Sequence, residues 1–206
     1  MTPHTVRPTQ SSVGLPAERL AQLRALADHH GVSGVEIIER AIRRGIEAGE
    51  IPDTLPGFAD IAVADDDALF VSVRNVSLPL LDRDQAILIA AVVDAATGTA
   101  PFPGLEFKSG SAKGVDLGHG NKLYIGRHAK AVTFGIVDGK TSQTTLRTAT
   151  TASIATDFAR LLRKHAAQII RPVIDATTGE PAKHFLRIMS GEDAAISVSS
   201  TQEARS

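Results

Sequence analysis

An α+β fold is expected for this chain: a leading β-α-α unit, then a mainly antiparallel β domain that carries one long helix. Three observations predict it. Two apolar stripes at helical spacing follow one another within residues 20–46, alternating apolar stretches recur between residues 68 and 148, and a further helical stripe occupies residues 153–170.

A length of 206 residues allows one or two domains, and 43% apolar with 22% charged side chains is the ordinary balance of a folded protein. The chain has no cysteine, which excludes a disulfide framework, a thiol nucleophile and a cysteine metal site, and suits a reducing cytoplasm. The first ten residues lack the basic and apolar regions of a secretory signal. The longest apolar run, residues 86–93, is far too short to cross a bilayer. A cytoplasmic protein without a membrane partner is expected.

The leading unit occupies residues 11–49. Val13 and Leu15 alternate as in a short strand, which Pro16 ends by removing a ladder donor and pre-setting φ for a helix start. Leu20, Leu23, Leu26 and Ala27 then repeat at helical spacing, with Glu18, Arg19, Gln22, Arg24 and Asp28 on the other side. Gly31 suits the left-handed residue that closes a helix, and Ser33 suits the N-cap of the next. Val35, Ile38, Ile42 and Ile46 form the second stripe, which Ala48, Gly49 and Pro52 terminate. So few apolar side chains cannot offset the entropy of ordering some forty residues. The unit must share a core, either with the rest of its own chain or with a second copy across a two-fold axis.

In its order of pieces, Val13-Gly14-Leu15-Pro16, then Gly31-Val32-Ser33, then Glu36 through Arg43, this segment resembles the ribbon-helix-helix family of DNA-binding proteins. The resemblance covers under a quarter of the chain. It implies a homodimer whose paired leading strands form a two-stranded ribbon in the major groove of double-stranded DNA. On that ribbon Gln10, Ser12 and Gly14 face the bases, although Gly14 offers backbone alone. Ser33, Gly34 and Val35 at the helix start clamp a backbone phosphate, and Arg7 reaches another. The implied role is a transcriptional repressor or regulator; a plasmid accessory protein of transfer or partition would use the same ribbon. An antitoxin fits less well, because the part that follows its ribbon is usually a short tail.

Residues 1–8 are expected to form a mobile arm, 9–51 the dimerising DNA-binding domain, 52–57 a proline- and glycine-punctuated linker, 58–190 the α+β domain and 191–206 a polar tail. Charge is uneven along this plan. Residues 1–51 balance, residues 53–84 carry a net −5 as an acidic link, and residues 105–172 carry a net +7. A basic middle is compatible with phosphate contact, although a solvated surface with ordinary scatter accounts for it as well. In the second domain, residues 68–78 alternate as one strand, and residues 84–94 are apolar throughout, as in a buried strand or a short helix; their β-branched side chains favour the strand, for which residues 105–108 are the candidate partner. Residues 122–126 and 131–138 continue the sheet, with Asp138-Gly139 as a turn before a threonine-rich strand. Residues 153–170 form the one long helix, and residues 173–175 and 184–189 a last strand pair. The domain is read as an oligomerisation, effector or partner module, able to raise the assembly beyond a dimer or to bind nucleic acid or an anionic ligand.

Residues 93–98 echo residues 174–179, as two related hairpin turns would, with convergent turn chemistry the simpler source. Residues 110–120 are glycine-rich but lack the Gly-Lys-Ser/Thr ending of a phosphate-binding P-loop, and read as a connection. Asp116, His119 and His128 match no metal-ligand spacing, and Ser109 or Ser111 with His119 and Asp116 lacks the strand-turn-helix setting of a nucleophile. No cofactor, metal or enzymatic activity is expected.

Overall fold

The computed structural model describes residues 14–64, 68–129 and 131–169. Four helices and seven strands are described: α1 (Ala17–His30), α2 (Gly34–Glu47), β1 (Ala59–Ala64), β2 (Ala68–Val73), β3 (Val76–Ser77), α3 (Arg83–Thr97), β4 (Ala112–Asp116), β5 (Lys122–His128), β6 (Ala131–Val137), β7 (Thr144–Thr151) and α4 (Ala152–Ala166). The chain is α+β with two antiparallel sheets, β1-β2-β3 and β4-β5-β6-β7.

The leading helices form where their caps dictate. Gly31 closes α1 at φ 64°, with its N–H donating to Asp28 and that of Val32 to Ala27, a Schellman closure that only glycine enters without strain. The Ser33 hydroxyl accepts from the Glu36 N–H at 3.2 Å and so starts α2. Gly14 to Pro16, the end of the expected leading strand, has no regular structure, so the described elements open α-α-β and not β-α-α. A strand needs a ladder partner, and no other described segment pairs with this one. Val13 and everything before it, the expected arm included, lie outside the described residues, as do the strand pair of residues 173–175 and 184–189 and the polar tail.

Several expectations for the second domain are corrected. The apolar run at 84–94 is not a strand but the heart of α3, so this domain has two long helices and not one. Asp82 and Gln85 make a reciprocal capping box, at 2.7 Å and 3.1 Å, and Gly98 closes the helix in the left-handed region, which fixes fifteen residues as a helix in spite of their β-branched content. Helix α3 is apolar almost all round because it is buried almost all round. Residues 93–98 are therefore a helix end and not a hairpin turn, and the second copy of the echo lies outside the described residues. Residues 105–108 form no strand and contribute only an isolated bridge from Leu105 to Phe102. The single strand expected at 68–78 is a hairpin: Arg74 and Asn75 both adopt positive φ, the geometry of a tight primed turn between β2 and β3. The acidic link contains β1, and the glycine-rich connection contains β4.

One continuous core joins both sheets to α3 and α4. At its centre Phe58, Phe134 and Phe158 pack edge to face, with centroids 5.7–5.9 Å apart, so the chain after the linker, strand β6 and helix α4 meet at one point. Arg163 of α4 ties to the nearly buried Asp94 of α3. The linker is held as well. Asp53 receives a forked pair of hydrogen bonds from Arg160, at 2.9 Å and 2.5 Å, and one from Lys164 at 2.8 Å. The Arg160 guanidinium, foremost, and Lys164 hold the Asp53 carboxyl far below the ordinary carboxylate range. Because the folded value is depressed, this contribution is present above the unfolded carboxylate value near pH 4 and is lost as pH falls below it. His165, next along α4, is pushed down by burial and then by the charge of Lys164, so its folded form disfavours protonation and stability begins to fall below the unfolded histidine value near pH 6.5. Asp53→Ala is expected to cost about 1 kcal/mol at neutral pH, because both cations are partly solvated, and to flatten the acid limb of a denaturation series below about pH 4.

Candidate nucleic-acid interface

Helices α1 and α2 pack on each other through Leu23, whose side chain lies against Gly34 at the start of α2. Their polar faces are laced locally: Arg19 donates to Gln22 at 2.8 Å, and Arg40 pairs with Glu36 at 2.7 Å across one turn. Arg43 approaches Asp157 of α4 at 3.6 Å, a link from this pair of helices to the body.

The apolar stripes are not covered. In a single copy Leu15, Leu20 and Leu26 are exposed, as are Val35 at 64%, Ile38 at 46% and Ile42 at 50% of their surface, while Ala27 alone of either helix is buried. Of the two alternatives open at the level of sequence, packing of this face against the rest of the chain is not seen among the described residues. Scattered exposed leucines are ordinary, whereas Val35, Ile38 and Ile42 recur at the three- and four-residue spacing that places them on one face of α2.

The start of α2 presents the backbone donors common to helix N-termini. The first N–H groups of a helix have no intrahelical acceptor, and those of Gly34 and Val35 stand at the positive end of the α2 dipole. The Ser33 hydroxyl accepts from the Glu36 N–H and so positions the turn that presents these backbone donors. Glu36, in the same first turn, has its charge engaged by Arg40. Of the expected base-facing residues only Gly14 is described; it is exposed, and a Cβ there would meet nothing within 4 Å. Gln10, Ser12 and Arg7 lie outside the described residues.

The residues considered for chemistry do not converge. Among the described residues no group of three histidine, aspartate or glutamate side chains could hold a metal ion. Asp116 accepts from the Gly118 N–H and Ser111 donates to the Lys108 carbonyl, so both serve their own turns. Ser109 accepts from the Ala129 N–H across the β5–β6 turn. Among the described residues, no helix is long and apolar enough to cross a membrane.

The exposed stripe was readable in sequence only as amphipathic periodicity, which is the same for a face buried in its own chain and for one reserved for a partner. The fold therefore defines an α+β protein with a helical pair that presents an uncovered apolar face. Comparison with protein-family models, with curated proteins and with solved structures gives no match for this chain.

Proposed function

We propose that this chain is a homodimeric DNA-binding protein, a transcriptional repressor or regulator whose leading segments pair across a two-fold axis and enter the major groove. The observation that carries the reading is the uncovered aliphatic face of α1 and α2, on a helical pair with ordered caps at both ends of the connecting turn. A second copy supplies what the face lacks, an equal and self-complementary apolar surface. Its approach also supplies a ladder partner for residues 9–15, which are too few to form a strand alone. Gln10 and Ser12 then face base edges, and Gly34 and Val35 of each copy bind the flanking phosphates.

The test uses the whole protein. Selection from a random duplex pool should return a two-fold-symmetric site, and gel shifts with Gln10→Ala or Ser12→Ala should change the preferred bases at a cost of about 1 to 3 kcal/mol for the original site. Substitution of lysines and arginines between 105 and 169 should weaken all sequences alike if that region touches the backbone. A pool that enriches no motif, with Gln10→Ala binding as the parent does, would overturn the reading.

A further inference from the structure

The outward face of the four-stranded sheet carries a recess that the DNA-binding reading does not use. Strand pairing sets Gly114, Tyr124, Gly135 and Arg147 in one row across β4, β5, β6 and β7, and Ala112, Gly126, Thr133 and Ala149 in the next. Residues of the opposite parity, Leu123, Ile125, Phe134 and Leu146 among them, are buried in the core, so these two rows face away from it. The Tyr124 ring leans over Gly114, where an added Cβ would stand 3.1 Å from its Cε1. On its other side nothing crowds Gly135: a Cβ there would be no closer than 3.7 Å to any atom. The result is a cavity of about 200 Å³ that includes Tyr124, Thr133, Gly135, Arg147 and His128 in its wall.

Its chemistry is one-sided. None of the described residues in its wall is acidic, and Arg147 makes neither an ion pair nor a side-chain hydrogen bond among the described residues. Arg127 also borders the cavity, but one of its guanidinium nitrogens lies 3.9 Å from where a Gly98 Cβ would stand, away from this face, so it is not counted as an anion ligand. An aromatic ring, a glycine floor and one uncommitted guanidinium are the parts that hold a flat ring bearing a carboxylate: the ring lies over Gly135 against Tyr124, and the carboxylate takes the two-pronged donors of Arg147. The volume, below the roughly 300 Å³ at which drug-sized sites begin, limits the ligand to a single ring. One aromatic side chain is too few for a strand-binding platform, which stacks successive bases.

We propose that this recess is a binding site for a monocyclic aromatic carboxylate, with Arg147 as the carboxylate ligand and Tyr124 as the ring contact. The chain has one tyrosine and no tryptophan, so ¹³C-tyrosine labelling of the full-length protein gives a single ring spin system, which reports on this site alone. Titration with benzoate should shift those resonances saturably. Its neutral isostere benzamide should bind at least about tenfold more weakly, and Arg147→Ala should bring benzoate down to the level of benzamide, with the far-ultraviolet circular dichroism unchanged. Equal shifts from benzoate and benzamide, an unaltered affinity in Arg147→Ala, or an equal response to inorganic phosphate would each overturn the assignment. So would a short oligothymidylate that moves Tyr124 when benzoate does not, because the face would then be a strand platform.

Discussion

Ile38→Glu combined with Ile42→Glu is expected to convert the protein to a folded monomer. Both side chains are about half exposed in a single copy, so the substitutions remove little that the isolated chain has buried, and the far-ultraviolet spectrum and the melting of the body should be preserved. In the proposed dimer the same four positions would lie in the shared core. Because each is already half buried, about 1 kcal/mol of further burial is lost at each, about 4 kcal/mol in all before any penalty for the carboxylates, which weakens association by about three powers of ten. Sedimentation equilibrium reads the result directly, and DNA retention should vanish with the dimer because half a ribbon has no partner strand. A double variant that still sediments as a dimer would place the interface elsewhere and remove the main support for the DNA-binding reading.

The second large effect is expected at Gly139, in the turn between β6 and β7. A methyl group there would overlap the His119 carbonyl oxygen and the Gly120 carbonyl carbon. These are backbone atoms of the β4–β5 turn, and they are held in place: Asn121 accepts from the Gly139 N–H at 3.1 Å and donates to the Gly118 carbonyl at 3.2 Å. No side chain can rotate away to relieve the overlap, so two turns must part. Gly139→Ala should cost about 3 kcal/mol, the upper range for overpacking, which for a protein of this size lowers the melting temperature by roughly 6 to 12 °C. Gly118→Ala offers a contrast. Its added carbon would meet nothing within 4 Å, and its penalty, from a φ of 85°, is conformational alone. A calorimetric scan that ranks Gly118→Ala as the worse of the two would refute the contact argument.

Where local chemistry decided the structure, the sequence was legible. Pro16, Gly31 and Ser33 mark helix boundaries because each satisfies or removes particular backbone groups, and the stripes of α2 and α4 report one apolar face each. Helix α3 was misread because a helix buried on nearly every side has no polar face and hence no period. The Asp82 to Gln85 spacing and Gly98 were the available signals, and they outweigh β-branched content. Strand β1 was hidden by alanines and an exposed aspartate, and β4 by flanking glycines that serve the turns on either side. The site was legible only in part. Periodicity named Leu20 and Leu26 on one stripe and Val35, Ile38 and Ile42 on the next, but could not say that the described residues leave them exposed. The Tyr124 and Arg147 row depends on inter-strand register, which a single sequence does not contain.

The Asp53 clamp bears on how the two parts of the molecule move. Partly solvated charges join the start of the linker to α4, and Arg43 reaches Asp157 in the same manner, so ionic strength tunes the joint. In dilute buffer the paired helices and the body should tumble as one particle, whereas in concentrated salt each should acquire its own rotational diffusion. A protein engaged on a polyanion would thus be most loosely articulated under the conditions in which it also lets go.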